Sequence, residues 1–148
     1  MKTLSIAALS AVFLAAFLSA EAPKTSDVTY FDSSRVETAF VKGMPLIEVE
    51  NYKVHASHRD GPGMAEIHER DTDIVYVLEG TATLVTGGEA VEAKTTAPEE
   101  IRGTAIRGGS ERRLVKGDVV VIPNGVPHWF KEVPGTFNYY VVKVRSEQ

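Results

Sequence analysis

Short runs of β-forming residues, each ended by turn residues, occupy most of the chain after residue 43. Val, Ile, Tyr and Thr recur within the runs, and Gly, Pro and Asn interrupt them. The runs that read as strands, or as strands with their turns, are PLIEVENYKVHAS, AEIHE, DIVYVLEG, TATLVTGG, RLVKG, DVVVIPNG and NYYVVKV. Strands so short and so regularly punctuated predict an all-β sandwich, barrel or jelly roll.

The chain length of 148 residues predicts one domain. Residues 23–43 read as a linker and one short helix, because Asp32 and the two serines after it are a typical helix start and Gly43 is a typical helix stop. The β domain is therefore expected at residues 44–148. Within that domain, residues 89–111 are the least strand-like and predict a longer excursion.

The N-terminus has the pattern of a secretory signal peptide. A basic start at Lys2 precedes an apolar run from Leu4 to Leu18, which is shorter than the roughly 20 residues that span a bilayer. Ala20, Glu21 and Ala22 form an A-x-A-like end. We expect residues 1–22 to be removed, which leaves a periplasmic or secreted protein without a membrane anchor; the alternative is an uncleaved anchor.

Composition excludes several classes of function. The net charge of -4 gives no indication of a nucleic-acid or membrane-surface partner. The chain contains no cysteine, so it cannot form a disulfide, a thiolate nucleophile, a zinc-thiolate site or the lipidated cysteine of a lipoprotein.

The stretch EIHERDTDIVYVLEG, residues 66–80, carries polar groups into a strand that should be buried. Glu66 and His68 are two residues apart, so on a strand they share a face. Asp73 shares its parity with Val75 and Val77, which favour an interior. Inward carboxylates need a partner. That partner is either a divalent metal or an arginine, and the arginines available are Arg102, Arg107, Arg112 and Arg113.

A second stretch, GDVVVIPNGVPHWF at residues 117–130, combines a strand, a turn and a histidine. Gly117 begins a tight turn into four apolar residues, and Pro123, Asn124 and Gly125 form another turn. His128 then opens a new strand. Taken alone, such a histidine is more often structural or exposed than a ligand.

Together the two stretches resemble the two motifs of the cupin family. The second motif is matched at Gly117, Pro123, Gly125 and His128, and the first at His68, Asp73 and Gly80. The resemblance covers residues 44–145. It implies a small antiparallel β-barrel of the jelly-roll type, in which polar residues of both motifs meet inside the barrel at one metal ion. Cupins commonly pair through edge strands, so it also implies a homodimer.

The chain departs from the family pattern at three positions. The first motif of cupins usually reads His-x-His and then Glu, whereas this chain has Glu66 in place of the first His and Asp73 in place of the Glu. Glu132 stands where the second motif often has Asn. The resemblance implies metal ligation by His68, His128 and Glu66. Asp73 is one methylene shorter than Glu, and is either a fourth ligand or a residue behind the ligands.

Two imidazoles with one or two carboxylates suit Fe, Mn, Ni or Zn as a divalent ion. One hypothesis is a metal-dependent enzyme acting on a small polar organic molecule, with Glu66, His68 and His128 as catalytic residues. Its chemistry would be either of the dioxygenase type or that of a lyase or isomerase. The alternative is a non-catalytic periplasmic cupin that binds a sugar or an organic acid. A purely structural barrel is a third interpretation.

Further residues are candidates for substrate binding. His58 shares parity with the apolar residues of its strand and is preferred over His55 as a pocket residue; both are otherwise surface histidines. The repeated Ile-Arg-Gly places Arg102 or Arg107 at the barrel mouth, as a clamp for a carboxylate, or in a solvated loop. Trp129 either lines the pocket or belongs to the core. The Glu pair at positions 99 and 100 reads as solvated charge.

Overall fold

A computed structural model describes residues 28–146 and shows an antiparallel β-barrel of the jelly-roll type behind one short helix. The predicted signal peptide lies outside the described residues. The elements are α1 Ser33–Lys42, β1 Met44–Glu48, β2 Tyr52–Arg59, β3 Ala65–His68, β4 Asp71–Glu79, β5 Thr81–Thr86, β6 Glu89–Val91, β7 Lys94–Ala97, β8 Glu100–Gly103, β9 Ala105–Arg107, β10 Ser110–Val115, β11 Val119–Ile122, β12 His128–Glu132 and β13 Phe137–Arg145.

The helix begins and ends at the residues that the sequence predicts. The side chain of Asp32 caps α1 by accepting a hydrogen bond of 2.8 Å from the backbone N–H of Arg35. Gly43 ends the helix in the left-handed conformation, at φ 60°, and its N–H donates to carbonyl groups of the last turn. Ten residues are too few to cross a bilayer, and in the described part of the chain no helix is long and apolar enough to do so.

Two sheets form the barrel. A five-stranded sheet has the order β1-β2-β13-β4-β11, a six-stranded sheet has the order β10-β5-β12-β3-β8-β7, and β6 pairs with β9. All of these pairings are antiparallel. Strands that are distant in the sequence thus lie side by side, and the inner faces of the two sheets meet across the barrel.

Buried and exposed residues alternate along β4, and the buried ones face the barrel interior. Asp73, Val75 and Val77 are buried, whereas Ile74 and Tyr76 between them are exposed. Asp73 therefore faces inward, as its parity predicts. Gly80 ends this strand at φ 80°, and a Cβ at that position would overlap the backbone carbonyl of Thr136, so the turn requires glycine.

Apolar side chains fill one part of the barrel. The core cluster consists of Val75, Val77, Ala82, Leu84, Leu114, Ile122, Phe130, Val133, Phe137, Tyr139 and Val141. Within the cluster, Phe137 is fully buried and its ring lies 5.1 Å from that of Tyr139 and 5.6 Å from that of Phe130. Burial of each such ring stabilises the fold by about 1.5–3 kcal/mol. The part of the barrel that this cluster does not fill holds the polar site.

Residues 89–111 form short strands rather than the predicted excursion. β7 is exposed along its whole length, so this part of the segment lacks the apolar alternation of the other runs. β8 nevertheless pairs with β3 in register, opposing Arg102 to Glu66 and Glu100 to His68. This segment therefore supplies polar neighbours to the first motif.

Candidate metal centre

Strand pairing brings three metal-binding side chains together. Glu66 and His68 share one face of β3 and line the same cavity. His128, the first residue of β12, is the direct cross-strand partner of Glu66. One ligand atom from each of these three side chains lies within 4.8 Å of the other two. The backbone N–H of Gly125 also donates to the carbonyl oxygen of His68 at 2.7 Å, which joins the turn of the second stretch to the first.

His128 presents an unpaired lone pair to this cluster. Its Nδ1 lies 3.0 Å from the carbonyl oxygen of Val126, and because a carbonyl only accepts, Nδ1 carries the proton. Among the described side chains, its Nε2 is the buried polar atom that has no hydrogen-bond partner. Burial lowers the pKa of His128 and keeps the imidazole neutral. An unsatisfied buried acceptor costs about 1–3 kcal/mol, which a cation at the cluster would offset.

His68 is oriented from behind by a carboxylate. Its Nδ1 lies 2.8 and 2.9 Å from the two oxygens of Glu100, so Nδ1 donates and Nε2 faces the cluster. The ammonium of Lys143 lies 2.8 Å from this Nε2, and since an ammonium only donates, Nε2 accepts. Burial lowers the pKa of His68, but the nearby carboxylates of Asp73 and Glu100 together raise it above the ordinary value.

The two carboxylate oxygens of Glu66 face different partners. Oε2 lies 3.6 Å from Nε2 of His68 and 3.9 Å from Nε2 of His128. Oε1 accepts a hydrogen bond from Arg102 and lies 3.6 Å from Nη2 of Arg59. One oxygen is therefore turned to the histidine pair while the other is held by arginine.

Asp73 reaches the histidines but is already paired. Its Oδ2 lies 3.4 Å from Nε2 of His68 and 3.8 Å from Nε2 of His128. Both of its oxygens also accept from Lys143, at 2.7 and 2.9 Å. Burial raises the pKa of Asp73, but the proximity of His68 and the hydrogen-bonded ammonium of Lys143 outweigh it and lower the pKa. Asp73 is therefore ionised and neutralises Lys143.

These side chains open into a cavity of about 270 Å³. Its charged and ionisable lining consists of Lys53, His55, Arg59, Glu66, His68, Asp73, Glu100, Arg102, His128, Tyr139 and Lys143. A cavity of this size and polarity suits a small polar molecule rather than a large apolar one.

A family model described as Cupin matches residues 21–148. The chain belongs to the cupin family. No curated protein sequence matches it. This cupin has the same fold as three solved structures. They are BH2720 from Bacillus halodurans (TM-score 0.57, 14% identity, 84% of this chain and 86% of that chain), a conserved protein with a double-stranded β-helix domain from Klebsiella pneumoniae (0.50, 17%, 70% and 75%) and the SPY1581 protein of unknown function from Streptococcus pyogenes (0.50, 18%, 72% and 75%). At these identities the likeness concerns the fold alone.

The donor set of this cupin fits a divalent transition metal. Glu66, His68 and His128 would hold the ion, since two imidazole nitrogens and a carboxylate oxygen converge and one nitrogen has no other partner. Asp73 lies close enough to contribute but would first have to leave Lys143.

His55 of β2 lines the cavity, whereas the predicted His58 does not. The preference for His58 assumed that the apolar residues of the strand face the barrel. Ala56 instead pairs with Tyr140, whose ring packs edge-on against Phe40 of α1 with centroids 5.0 Å apart. This assumption is wrong because α1 covers the outer face of β2, so apolar residues on that face are buried as well.

The remaining predicted substrate-binding residues divide between inside and outside. Arg102 lines the cavity. The side chain of Arg107 is 74% exposed on the short strand β9 and does not line it. Trp129 follows His128 on β12, so it points to the opposite face of the strand, where its Nε1 donates to the carbonyl oxygen of Gly63 at 2.8 Å.

Three residues of the site were not anticipated: Glu100, Lys143 and Arg59. Glu100 read as solvated charge, but the pairing of β3 with β8 turns it to His68. No sequence pattern predicts the pairing of β3 with β8. Lys143 did carry a signal, because it is a charged residue that shares parity with the buried residues Phe137, Tyr139 and Val141 of an otherwise apolar run. Arg59 shares parity with His55, so assigning the His55 face of β2 to the barrel interior would also have identified Arg59.

Proposed function

We propose that this cupin is an exported, metal-dependent enzyme that acts on a small polar organic molecule. Glu66, His68 and His128 would hold a divalent transition metal, and that ion would supply either dioxygen activation for dioxygenase-type chemistry or Lewis acidity for lyase or isomerase chemistry. The observation that carries the proposal is the buried, neutral Nε2 of His128, which faces Glu66 and His68 without a hydrogen-bond partner.

The residues around the ligands support this role by fixing their orientation. Glu100 fixes the ring of His68, the carbonyl of Val126 fixes the ring of His128, and Arg102 holds one oxygen of Glu66. Each contact sets which atom faces the cavity without occupying that atom. Partners of this kind orient metal ligands and raise their basicity.

One observation favours a second candidate function. Lys143 donates to Nε2 of His68 and thereby already places one positive charge inside the ligand cluster. In a barrel paired in this way, His68 and Asp73 already have a cationic partner and do not require an ion. The corresponding function is a metal-free, non-catalytic barrel that binds a sugar or an organic acid.

Metal content separates the two candidates. The full chain, purified without chelator and without a metal-affinity tag, is expected to contain one transition-metal ion per molecule by inductively coupled plasma mass spectrometry. His128→Ala and Glu66→Ala should each lose the ion. His55→Ala is the matched control, because His55 lines the same cavity but lies outside the ligand cluster. A protein that takes up no Fe, Mn, Ni or Zn would overturn the enzyme proposal in favour of the binding protein.

Export and self-association belong to the same proposal. Removal of residues 1–22 would leave the barrel in the periplasm or outside the cell, and its partners would be a small molecule and a second copy of the chain. Support for a homodimer comes from an exposed apolar area on the outside of the five-stranded sheet, here called the outer apolar patch. It consists of Ile74, Tyr76, Val119 and Val121.

A further inference from the structure

Arg59 is held rigidly at the cavity wall. Its Nε donates to the hydroxyl oxygen of Tyr139 at 3.0 Å, and its Cζ lies 4.7 Å above the ring of Phe130. Its guanidinium also passes so close to Gly63 that a Cβ there would overlap Nη1. The side chain is only 20% exposed. A hydroxyl, an aromatic face and a bare backbone position thus fix the guanidinium plane.

The outer edge of this guanidinium lacks a hydrogen-bonded acceptor. In residues 28–146, the nearest carboxylate oxygen to its terminal nitrogens is Oε1 of Glu66, at 3.6 Å from Nη2, which is beyond hydrogen-bonding distance. That oxygen is already held by Arg102. Arg59 lines the cavity, and its guanidinium has N–H groups left to donate to a carboxylate.

Two of the other three cations of the cavity are paired with carboxylates. Lys143 is neutralised by Asp73, and Arg102 contacts both Glu66 and Glu100. Lys53 lies 3.7 Å from Asp71. Like Arg59, Lys53 has no carboxylate of the described residues within hydrogen-bonding distance, but its ammonium lacks the planar fork of a guanidinium.

The charge of the cavity also favours an anion. Its lining holds four cationic side chains, Lys53, Arg59, Arg102 and Lys143, and three carboxylates, Glu66, Asp73 and Glu100. With a divalent ion on the ligand cluster, the lining carries three excess positive charges; two remain if Lys53 is assigned to Asp71. A neutral sugar would not offset this excess, whereas an organic acid would.

We infer that Arg59 is the carboxylate-binding residue of this cavity and that the ligand is a small organic acid. The inference rests on the proposed function, which it narrows from polar molecules in general to carboxylates. The acid group would accept two hydrogen bonds from the outer edge of Arg59. Because Glu66 lies between Arg59 and the histidines, the rest of the molecule would then extend toward the ligand cluster.

The test is a binding titration with matched acids and amides. Lactate, succinate and benzoate are each titrated into the metal-loaded protein. The corresponding amides, lactamide, succinamide and benzamide, are titrated in the same way. Trp129 is the single tryptophan of the chain and donates to Gly63 beside Arg59, so its fluorescence reports locally. Calorimetry gives the dissociation constants independently. At least one acid is expected to bind roughly tenfold or more tightly than its amide, since a paired charge is lost in the amide.

Variants assign that difference to Arg59. Arg59→Met should weaken binding of the acid by roughly tenfold or more and leave binding of the amide unchanged. Arg59→Lys keeps the charge without the planar fork and should bind with intermediate affinity; it also serves if the methionine variant does not fold. Arg113→Met, on the exposed strand β10, is the control and should bind like the wild type.

Equal affinity for acid and amide, no binding of any of the three acids, or full affinity in both Arg59 variants would each overturn the inference. Metal content is measured on the same samples. Loss of acid binding in Arg59→Met with the metal retained supports both proposals. Arg59-dependent acid binding in a protein that holds no metal would overturn the enzyme proposal and leave the carboxylate site standing.

Discussion

Lys143 Nζ lies 2.8 Å from His68 Nε2, the nitrogen through which His68 would bind a metal. The contact follows from strand register. Lys143 on β13 is the cross-strand partner of Asp73 on β4, and both side chains point into the barrel. Glu100 holds the other ring nitrogen of His68, so Nε2 is the acceptor left for the ammonium. An intramolecular cation and a bound metal ion would therefore compete for one lone pair.

Replacing Lys143 by methionine is expected to raise metal affinity by roughly tenfold or more. The variant removes a positive charge from the ligand cluster, frees Nε2 of His68 and leaves Asp73 as an additional carboxylate. Competition against a chromogenic chelator measures the change. Lys116→Met, at an exposed turn outside the cavity, should bind metal like the wild type. Unchanged or weakened affinity in Lys143→Met would mean that the lysine does not compete with the ion.

Glu100→Gln is expected to weaken metal binding by about 10- to 100-fold. The carboxylate fixes the tautomer and orientation of His68 and increases the basicity of its Nε2, and an amide does both less well. Glu99→Gln is the matched control, because Glu99 is the neighbouring residue and pairs with Arg145 and Arg70 instead. Rescue by Glu100→Asp would support a role in positioning, and equal metal affinity in both glutamine variants would contradict it.

The barrel and its two motif strands were predictable because each depends on local signals. Turn residues bound the strands, and the parity of Glu66, His68 and Asp73 is set by a period of two. Gly80 and Gly125 both adopt positive φ, at 80° and 77°, at the turns that the spacing predicts. These features require no knowledge of which strands are neighbours.

Residues that depend on strand pairing were not predictable in this way. Glu100 reaches His68 only because β8 lies beside β3, and a weakly patterned segment gives no register. His58 was chosen over His55 because apolar residues were taken to mark the interior, whereas α1 covers the outer face of β2. Arg59 is identified once the inward face of β2 is assigned correctly. Lys143 is identified once β13 is known to be the partner strand of β4.

The stability of the protein should depend on pH through a histidine outside the cavity. The hydrogen bond from His58 to Asp60, followed by the one to Asn138, raises the pKa of His58 above 6.5. Because the folded state binds this proton more tightly than the unfolded state does, its contribution is fully present below pH 6.5 and is lost as pH rises through the raised pKa.

Asp60→Asn tests this linkage. The pKa of His58, measured by NMR titration, should fall in the variant. The free energy of unfolding in urea should differ between the variant and the wild type more at about pH 5.5 than at about pH 8.5. The difference should be small because Asp60 is exposed. The pKa of His55, which burial lowers, is the internal control and should not move. A stability difference that grows toward high pH would contradict the assigned direction.

Val121→Glu is expected to convert the proposed homodimer to a monomer. Val119 and Val121 are 62% and 59% exposed on the edge strand β11, and they pair with the exposed Tyr76 and Ile74 of β4. An exposed apolar edge of this kind is a favourable surface for a second copy of the chain, and a buried glutamate without a partner would disfavour association. Analytical ultracentrifugation measures the mass. Val115→Glu, on the opposite sheet, controls for added charge and should leave the dimer intact. A wild-type protein that sediments as a monomer would overturn the proposed homodimer.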